Sequence, residues 1–267
     1  MAKVVVVTGA SAGIGLATAD RLAASGWTVV GASRRGTSSP GWAGLVMDVD
    51  DDASVRDGVA QVLAEHGTID AVVLSAGWGI AGSVERTDLV DAHAQLETNL
   101  FGCVRVIQAV LPAMRAQGGG RIVPISSIGG IVSIPFQAFY SASKFALEGL
   151  AEALAYEVEP FGIHVTLVEP GNIRTDFTAS RRRSDVGTGA DPYADALQHA
   201  VSVMERDEAR GAPADDVAKV VARVLRQRRP PRRRSVGKAG ERVGILAKRL
   251  LPFRAFEAAA KGSLGVR

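Results

Sequence analysis

Short apolar runs alternate with longer amphipathic segments over about the first 170 residues. The apolar runs have the length of strands, and they lie at 3–7, 28–32, 45–47, 71–74, 121–125 and 164–168. Segments with apolar residues three and four apart, a spacing typical of helices, lie between them at 14–25, 52–66, 89–115 and 139–157. Beyond position 170 this alternation gives way to helical and loop segments, with 232–236 as a last predicted strand.

Strands that alternate with helices of this length predict βαβ units and therefore a parallel sheet with right-handed crossovers. The run at 3–7 is apolar almost throughout, which indicates a strand buried on both faces. The predicted fold class is α/β: a doubly wound, Rossmann-type parallel sheet in a three-layer αβα arrangement. No repeat or linker-like stretch divides the chain, so residues 1–267 are predicted to form a single domain.

A glycine-rich turn follows the first predicted strand directly and opens a helix. Its letters are TGASAGIG, from Thr8 to Gly15. Glycines let the backbone approach a pyrophosphate, whose charge is stabilised by the free N–H groups at a helix N-terminus. The spacing G-x-x-x-G-x-G differs from the common fingerprint G-x-G-x-x-G. Its place after the first strand nevertheless favours cofactor binding over a glycine turn needed for geometry alone, with predicted contacts at Gly9, Ser11, Gly13, Ile14 and Gly15.

A candidate acid/base pair opens the helix predicted at 139–157. Tyr140 and Lys144 lie four residues apart, so their side chains share one helix face. Tyrosine has an unperturbed pKa near ~10, so acting as a base near neutrality requires a shift of about three units. A neighbouring ammonium and the positive ring of an oxidised nicotinamide both favour the phenolate. Ser127, just after a predicted strand, can donate to a substrate oxygen that becomes negative as hydride arrives.

These motifs together resemble the short-chain dehydrogenase/reductase family. The family's T-G-x-x-x-G-I-G turn, its Y-x-x-x-K motif and its serine thirteen residues before the tyrosine are all matched. Asn99 is similar to the family's structural and catalytic asparagine, and the tripeptide at 75–77 reads Ser-Ala-Gly where the family usually has Asn-Ala-Gly. Residues 140–175 are most similar to the hydroxysteroid-dehydrogenase-like branch, which uses steroids, retinoids and other lipophilic alcohols or ketones.

The resemblance implies a role for each member of this set. Tyr140 gives a proton to the carbonyl oxygen, Ser127 positions the carbonyl, and Lys144 lowers the tyrosine pKa and holds the nicotinamide ribose. Asn99 supports a water that links Lys144 to solvent. Ser127 and Tyr140 would contact the substrate. The cofactor would be contacted by Asn99, Tyr140 and Lys144, and also by Asp48, Val49, Ala76, Gly77, Pro170, Gly171, Ile173 and Thr175.

The end of the second predicted strand indicates which nicotinamide binds. An NAD site usually has an acidic residue there, hydrogen-bonded to the ribose hydroxyls. Here the strand ends with Ser33, Arg34 and Arg35. An arginine can pair with a 2′-phosphate and would do little for a bare hydroxyl. We therefore predict NADP(H), with Arg34 as first choice for the phosphate contact and Arg35 as second; a solvated pair of surface arginines is the alternative.

Composition narrows the class of protein. Lys and Arg total 31 against 28 Asp and Glu, a net charge of +3, and six of the arginines lie in the segment 226–234. Without those six the remaining residues carry −3, which argues against a broad nucleic-acid surface. The single cysteine, Cys103, lies in an apolar helical pattern and fits a reducing compartment. The histidines show no metal-ligand spacing, and no targeting or membrane-spanning segment is evident, so a cytoplasmic protein without a metal site is predicted.

Apolar residues near the expected nicotinamide pocket predict a hydrophobic substrate; they are Trp78, Ile131, Val132, Ile134, Pro135, Phe136, Phe139 and Phe177. The region from about 170 to 267 is predicted to lie on the substrate side. We interpret the arginines at 181–183 and 226–234 as solvated charge. As an alternative, the second run and a helix-like segment at 241–261, with apolar residues at 245, 246, 250, 251, 253 and 256, could lie on an anionic bilayer. Those apolar residues could also cover the pocket or a subunit interface.

Two further hypotheses concern partners and activity. The family resemblance implies a homodimer or homotetramer packed through the helices at 89–115 and 139–157. The predicted function is hydride transfer between NADP(H) and a ketone or secondary alcohol. A non-catalytic, regulatory NADP(H)-binding protein is the alternative. A regulatory protein, however, has no need of the acid/base set, which consists of Asn99, Ser127, Tyr140 and Lys144.

Overall fold

Strands and helices alternate along the computed structural model, which describes residues 2–184, 191–252 and 254–258. The strands are β1 (Val4–Thr8), β2 (Thr28–Ser33), β3 (Ala43–Val46), β4 (Ala71–Leu74), β5 (Ile80–Ala81), β6 (Gly120–Pro124), β7 (Ile163–Val165), β8 (Leu167–Pro170), β9 (Ile173–Arg174), β10 (Arg182–Arg183), β11 (Ala212–Pro213) and β12 (Arg233–Val236). The helices are α1 (Gly13–Ala24), α2 (Asp52–His66), α3 (Leu89–Leu96), α4 (Gly102–Ala116), α5 (Ala138–Val158), α6 (Phe177–Ser180), α7 (Ala194–Ala209), α8 (Ala214–Arg226) and α9 (Ala239–Leu250).

The central sheet is parallel and has the strand order β3-β2-β1-β4-β6-β7. A bridge between Ile125 and Val168 joins the end of β6 to β8, and β8 pairs in parallel with β12. Strand order reverses between β1 and β4, the place where open α/β sheets form a ligand crevice. The predicted fold class, a doubly wound α/β sheet in a single domain, is confirmed.

Two cores lie on opposite faces of this sheet. Val4 and Val6 of β1 face the core formed with α2, α4 and α5, whereas Val5 and Val7 face the core formed with α1 and α8. Successive strand residues point to opposite faces, so an unbroken valine run is needed to fill both cores. Among the helices of the described residues, none is long and apolar enough to cross a bilayer.

The structure corrects three predicted elements. The helix predicted at 89–115 contains a π-helical turn, Glu97–Phe101, between α3 and α4. The strand predicted at 164–168 is divided, because Thr166 N still donates to Ile122 O of β6 whereas Leu167 N donates to Arg232 O beside β12. The helix-like segment predicted at 241–261 is divided: α9 spans Ala239–Leu250, residues 254–258 are helical again, and Phe253 and residues 259–267 lie outside the described residues.

Gly31 of β2 offers a test of this packing. A Cβ atom there would overlap the ring of Trp42, which is buried and anchored by its Nε1–H donating to Asp20 at 2.7 Å. We expect Gly31→Ala to lower the free energy of unfolding by about 1–3 kcal/mol, as overpacking of a core does. Gly244→Ala, in open space on α9, should leave it unchanged or slightly raised. Urea unfolding would measure both, and equal stability of the two variants would contradict the packing.

Candidate active site

A cleft of about 550 Å³ opens at the carboxyl edge of the sheet. Almost all the predicted site residues line it, and Asn99 is the exception. The lining includes Gly9, Ser11, Gly13, Ile14, Gly15, Arg34, Arg35, Asp48, Val49, Ala76, Gly77, Ser127, Tyr140, Lys144, Pro170, Gly171, Ile173 and Thr175. It also includes residues that sequence reasoning missed, among them Asp50, Thr98, Asp176, Arg182 and Glu208. No local motif marks these, because they reach the cleft only through tertiary packing.

The glycine turn has the geometry of an anion cradle. Gly9 and Gly13 have φ angles of 68° and 56°, in the left-handed region that favours glycine. A Cβ atom on Gly15 would overlap the carbonyl oxygen of Gly9. The first turn of α1 receives no side-chain cap from Ala12, so its N–H groups are available to a ligand. The turn therefore fits the pyrophosphate of a dinucleotide.

Asn99 lies behind the cleft, fully buried in the π-helical turn. Its Oδ1 accepts from Trp78 N at 3.0 Å, and its Nδ2 donates to Trp78 O at 3.0 Å and to Ser143 Oγ at 3.1 Å. The side chain thus joins the segment after β4 to α5, and a Cβ atom on Gly77 would lie 3.0 Å from Asn99 Oδ1. The water predicted beside Asn99 stays a prediction.

The three candidate catalytic side chains come together at one end of the cleft. Tyr140 and Lys144 lie in the first two turns of α5, and Lys144 Nζ is 5.9 Å from the Tyr140 ring centroid. Lys144 Nζ donates to Ile125 O at 3.0 Å, at the end of β6. Ser127 Oγ accepts from Gly129 N at 3.0 Å. Ser127 Oγ and the Tyr140 ring lie on the same side of Gly129, since a Cβ atom there would be 3.2 Å from each. The three side chains are largely buried yet line the cleft, an arrangement suited to proton transfer away from bulk water.

Burial dominates the pKa shifts of Tyr140 and Lys144. Burial raises the pKa of Tyr140, with the nearby Ser127 hydroxyl and the charge of Arg181 opposing the rise. Burial lowers the pKa of Lys144, against the opposing charge of Glu148. The prediction that Lys144, together with an oxidised nicotinamide, lowers the Tyr140 pKa stays a prediction; in the chain itself desolvation outweighs the charges around the phenol. Tyr140 holds its proton at neutral pH, as a proton donor must.

The other end of the cleft combines arginines with carboxylates. Arg34 and Arg35 are exposed at the end of β2 and line the cleft, as predicted for contacts to a phosphate. Asp50, which the sequence did not single out, accepts from Thr98 Oγ1 at 2.8 Å. Burial raises the pKa of Asp50, and the nearby charge of Arg34 opposes this rise. The charges of Arg34 and Asp50 therefore interact at this end of the cleft.

The end of the cleft beside Tyr140, called the substrate end below, has a less apolar lining than predicted. Trp78, Ile134 and Phe177 line the cleft, and the Phe177 ring centroid is 5.7 Å from that of Tyr140. Phe136 instead packs into a small core with residues of α7. The remaining predicted residues are not among the lining; they are Ile131, Val132, Pro135 and Phe139.

The arginines at 181–183 do not form one solvated group. The side chain of Arg181 is only 2% exposed and pairs with Glu208, which also accepts from Thr178. Arg182 lies over the Trp78 ring at 4.3 Å from its centroid. The prediction of solvated charge is wrong for Arg181, because α7 brings a carboxylate to it from 27 residues away.

The arginine run at 226–234 is also partly internal. Arg233 lies 3.1 Å from Glu148, 2.7 Å from Glu152 and 3.4 Å from Glu169. Glu148 and Glu169 are buried, and Glu148 lies one helical turn beyond Lys144 on α5. A buried carboxylate requires a partner, so Arg233 neutralises charge directly behind the catalytic helix.

Comparison with known proteins agrees with this geometry. The family model described as short chain dehydrogenase matches residues 3–185. The chain therefore belongs to the short-chain dehydrogenase/reductase family, and it is an oxidoreductase of that family.

Individual relatives resemble nearly the whole chain. A 3-ketodihydrosphingosine reductase of Bacteroides thetaiotaomicron is 39% identical over 251 residues, covering 94% of this chain and 93% of its own. Retinol dehydrogenase 8 of Bos taurus is 36% identical over 254 residues, covering 87% and 80% respectively. The crystal structure of a short-chain dehydrogenase from Streptomyces avermitilis superposes with a TM-score of 0.83 at 33% identity, covering 98% of each chain.

The buried acid behind Lys144 predicts a specific pH dependence. Desolvation raises the pKa of Glu148 above its usual 4.5; the nearby Ser126 hydroxyl and the charge of Arg233 oppose this, whereas Glu169 reinforces it. Between the unfolded and folded pKa values the folded state binds more protons, so stability falls as pH rises through that window. We expect wild type to lose stability relative to Glu148→Gln as pH rises above 4.5. Parallel slopes of unfolding free energy against pH for the two proteins would contradict this assignment.

Proposed function

We propose that this protein is an NADP(H)-dependent reductase of lipophilic ketones, reversible to the secondary alcohol, with Tyr140 as general acid/base. The observation that carries the proposal is the meeting of Ser127, Tyr140 and Lys144 at one end of a cleft whose other end has Arg34 and Arg35. One cleft thus offers groups for a carbonyl oxygen and groups for a phosphate. Residues 1–267 are proposed to act as one domain.

The residues divide the chemistry among them. Bound NADPH supplies a hydride to the carbonyl carbon. Ser127 Oγ–H donates to the carbonyl oxygen as that oxygen becomes negative, and Tyr140 Oη–H gives it the proton that completes the alcohol. Lys144, held by Ile125 O, stabilises the phenolate that this transfer leaves.

The proposal of a lipophilic substrate rests on the residues that line the substrate end of the cleft. Trp78, Ile134 and Phe177 offer apolar and aromatic surface, and the Arg181–Glu208 pair beside them carries no net charge. A ketone on a hydrophobic body fits this environment better than a sugar or an acid. The relative that reduces 3-ketodihydrosphingosine supports a long-chain ketone as the first compound to test.

The family and the exposed helix surfaces support an oligomer. Phe101, Phe145 and Tyr156 are exposed on the described surface of the π-helical turn and α5. We infer a homodimer or homotetramer packed through α4 and α5. A cytoplasmic location stays a prediction.

Removal of the Tyr140 hydroxyl tests the function directly. We expect Tyr140→Phe to lower kcat for ketone reduction by about 10²–10⁴-fold, since the proton donor is lost. NADPH binding, followed by fluorescence, should stay intact. The assay is NADPH absorbance with 3-ketodihydrosphingosine, ketosteroids and retinal. Tight NADPH binding without turnover of any ketone by wild type would favour the regulatory alternative.

The cofactor assignment has its own test. Arg34→Asp should lower kcat/KM with NADPH by about 10–100-fold, because a charge-assisted hydrogen bond to the 2′-phosphate contributes about 1.5–3 kcal/mol. The value with NADH should change little, so the preference shifts towards NADH. Arg56→Asp, at an exposed arginine of α2 outside the cleft lining, is the matched control. An unchanged NADPH/NADH ratio in Arg34→Asp would show that Arg34 does not select the cofactor.

A further inference from the structure

The side of helix α9 that packs against the rest of the protein makes mostly polar contacts. Its inner face holds one buried apolar residue, Ile245. The other inward contacts are polar: Glu241 accepts from Asn172 N at 3.0 Å, and Lys248 Nζ donates to Ile131 O. A surface helix usually turns its apolar stripe to the core, so this orientation is the reverse of the ordinary one.

The outer face of α9 is apolar. Val243, Leu246 and Leu250 are 62%, 56% and 72% exposed, and Leu251, just after the helix, is 44% exposed. The three helical residues are spaced three and four apart, so they share one face. Single exposed apolar residues are common on proteins, but a continuous row of them marks a surface that contacts a partner.

The margins of this face are basic. Lys238, Arg242 and Arg254 are exposed around it. From Lys238 to Arg254 the sequence has five basic residues, of which Lys248 is turned inward, against one acid, Glu241, which accepts from the backbone N–H groups of Lys238 and Asn172. An apolar helix face with basic flanks is complementary to the acyl boundary and phosphates of an anionic lipid surface.

Helix α9 also adjoins the substrate cleft. Glu241 contacts Gly171 and Asn172 from behind, and both of these residues line the cleft. Lys248 Nζ donates to the carbonyl oxygen of Ile131, which lies in the loop between Ser127 and Tyr140. A surface that bound α9 would therefore lie beside the cleft.

We propose that α9 docks the protein on an anionic lipid bilayer, with Val243, Leu246 and Leu250 at the acyl boundary and the basic margins against the lipid phosphates. This inference rests on the proposed function, since a lipophilic ketone dissolves in the membrane. Docking brings the cleft to the substrate instead of requiring the substrate to cross water.

Vesicle flotation tests the docking without any substrate. Wild type should bind phosphatidylcholine vesicles containing phosphatidylglycerol at least about tenfold better than pure phosphatidylcholine vesicles, and high salt should remove the difference. The double variant Leu246→Glu/Leu250→Glu should lose binding. Val46→Glu, at a residue of β3 that is 68% exposed, is the matched control and should bind as wild type does.

Activity measurements separate this inference from the proposed function. Wild type, the double variant and Val46→Glu should all reduce a short, water-soluble ketone at equal rates. Only the double variant should lose turnover of a ketone carried in anionic vesicles. Wild type that stays unbound at low salt, or a double variant that still binds, would overturn the docking. A double variant with a smaller oligomeric mass in lipid-free solution would show that a second copy covers α9 instead. Lack of turnover with every ketone would overturn the proposed function, while flotation would still decide the docking.

Discussion

A sheet whose strands all run in one direction is buried on both faces and brings every strand's carboxyl end to one edge. At this edge the ladder of backbone hydrogen bonds stops, so polar side chains and free N–H groups are tolerated there. Ser33 and Ser127 lie at or just beyond such strand ends, and both line the cleft. The reversal of strand order between β1 and β4 leaves the crevice into which the glycine turn faces.

The catalytic helix depends on charges that are buried together. The Lys144 ammonium is removed from water and held by a backbone carbonyl, and Glu148 lies one turn further along α5. Each of these charges would be costly to bury alone. Arg233 compensates the carboxylates from the far end of the chain, and pairing of β12 with β8 brings it there. The C-terminal arginine run is thus partly a structural component of the active site.

The two ends of the cleft differ in kind because different parts of the fold build them. The phosphate end is formed by regular strands and the first turn of α1, where the backbone itself contributes the donors. The substrate end is formed by short elements around α6 and β10 and by α7, where the side chains of Phe177 and Glu208 decide the chemistry. Helix α9 contacts this end from outside the cleft through Glu241 and Lys248, so the proposed substrate site and the proposed membrane-docking surface belong to the same late part of the chain.

The fold class, the glycine turn and the grouping of Ser127, Tyr140 and Lys144 could be predicted from the order of residues along the chain. Apolar periodicity and motif spacing are properties of neighbouring residues, and local geometry converts them into strands, turns and shared helix faces. Three other features arise from packing between distant segments: the burial of Arg181, the neutralisation of Glu148 by Arg233 from 85 residues away, and the rise of the Tyr140 pKa through burial. These outcomes depend on which distant segments meet and how much water they exclude, and neither quantity is encoded in the spacing of residues along the chain.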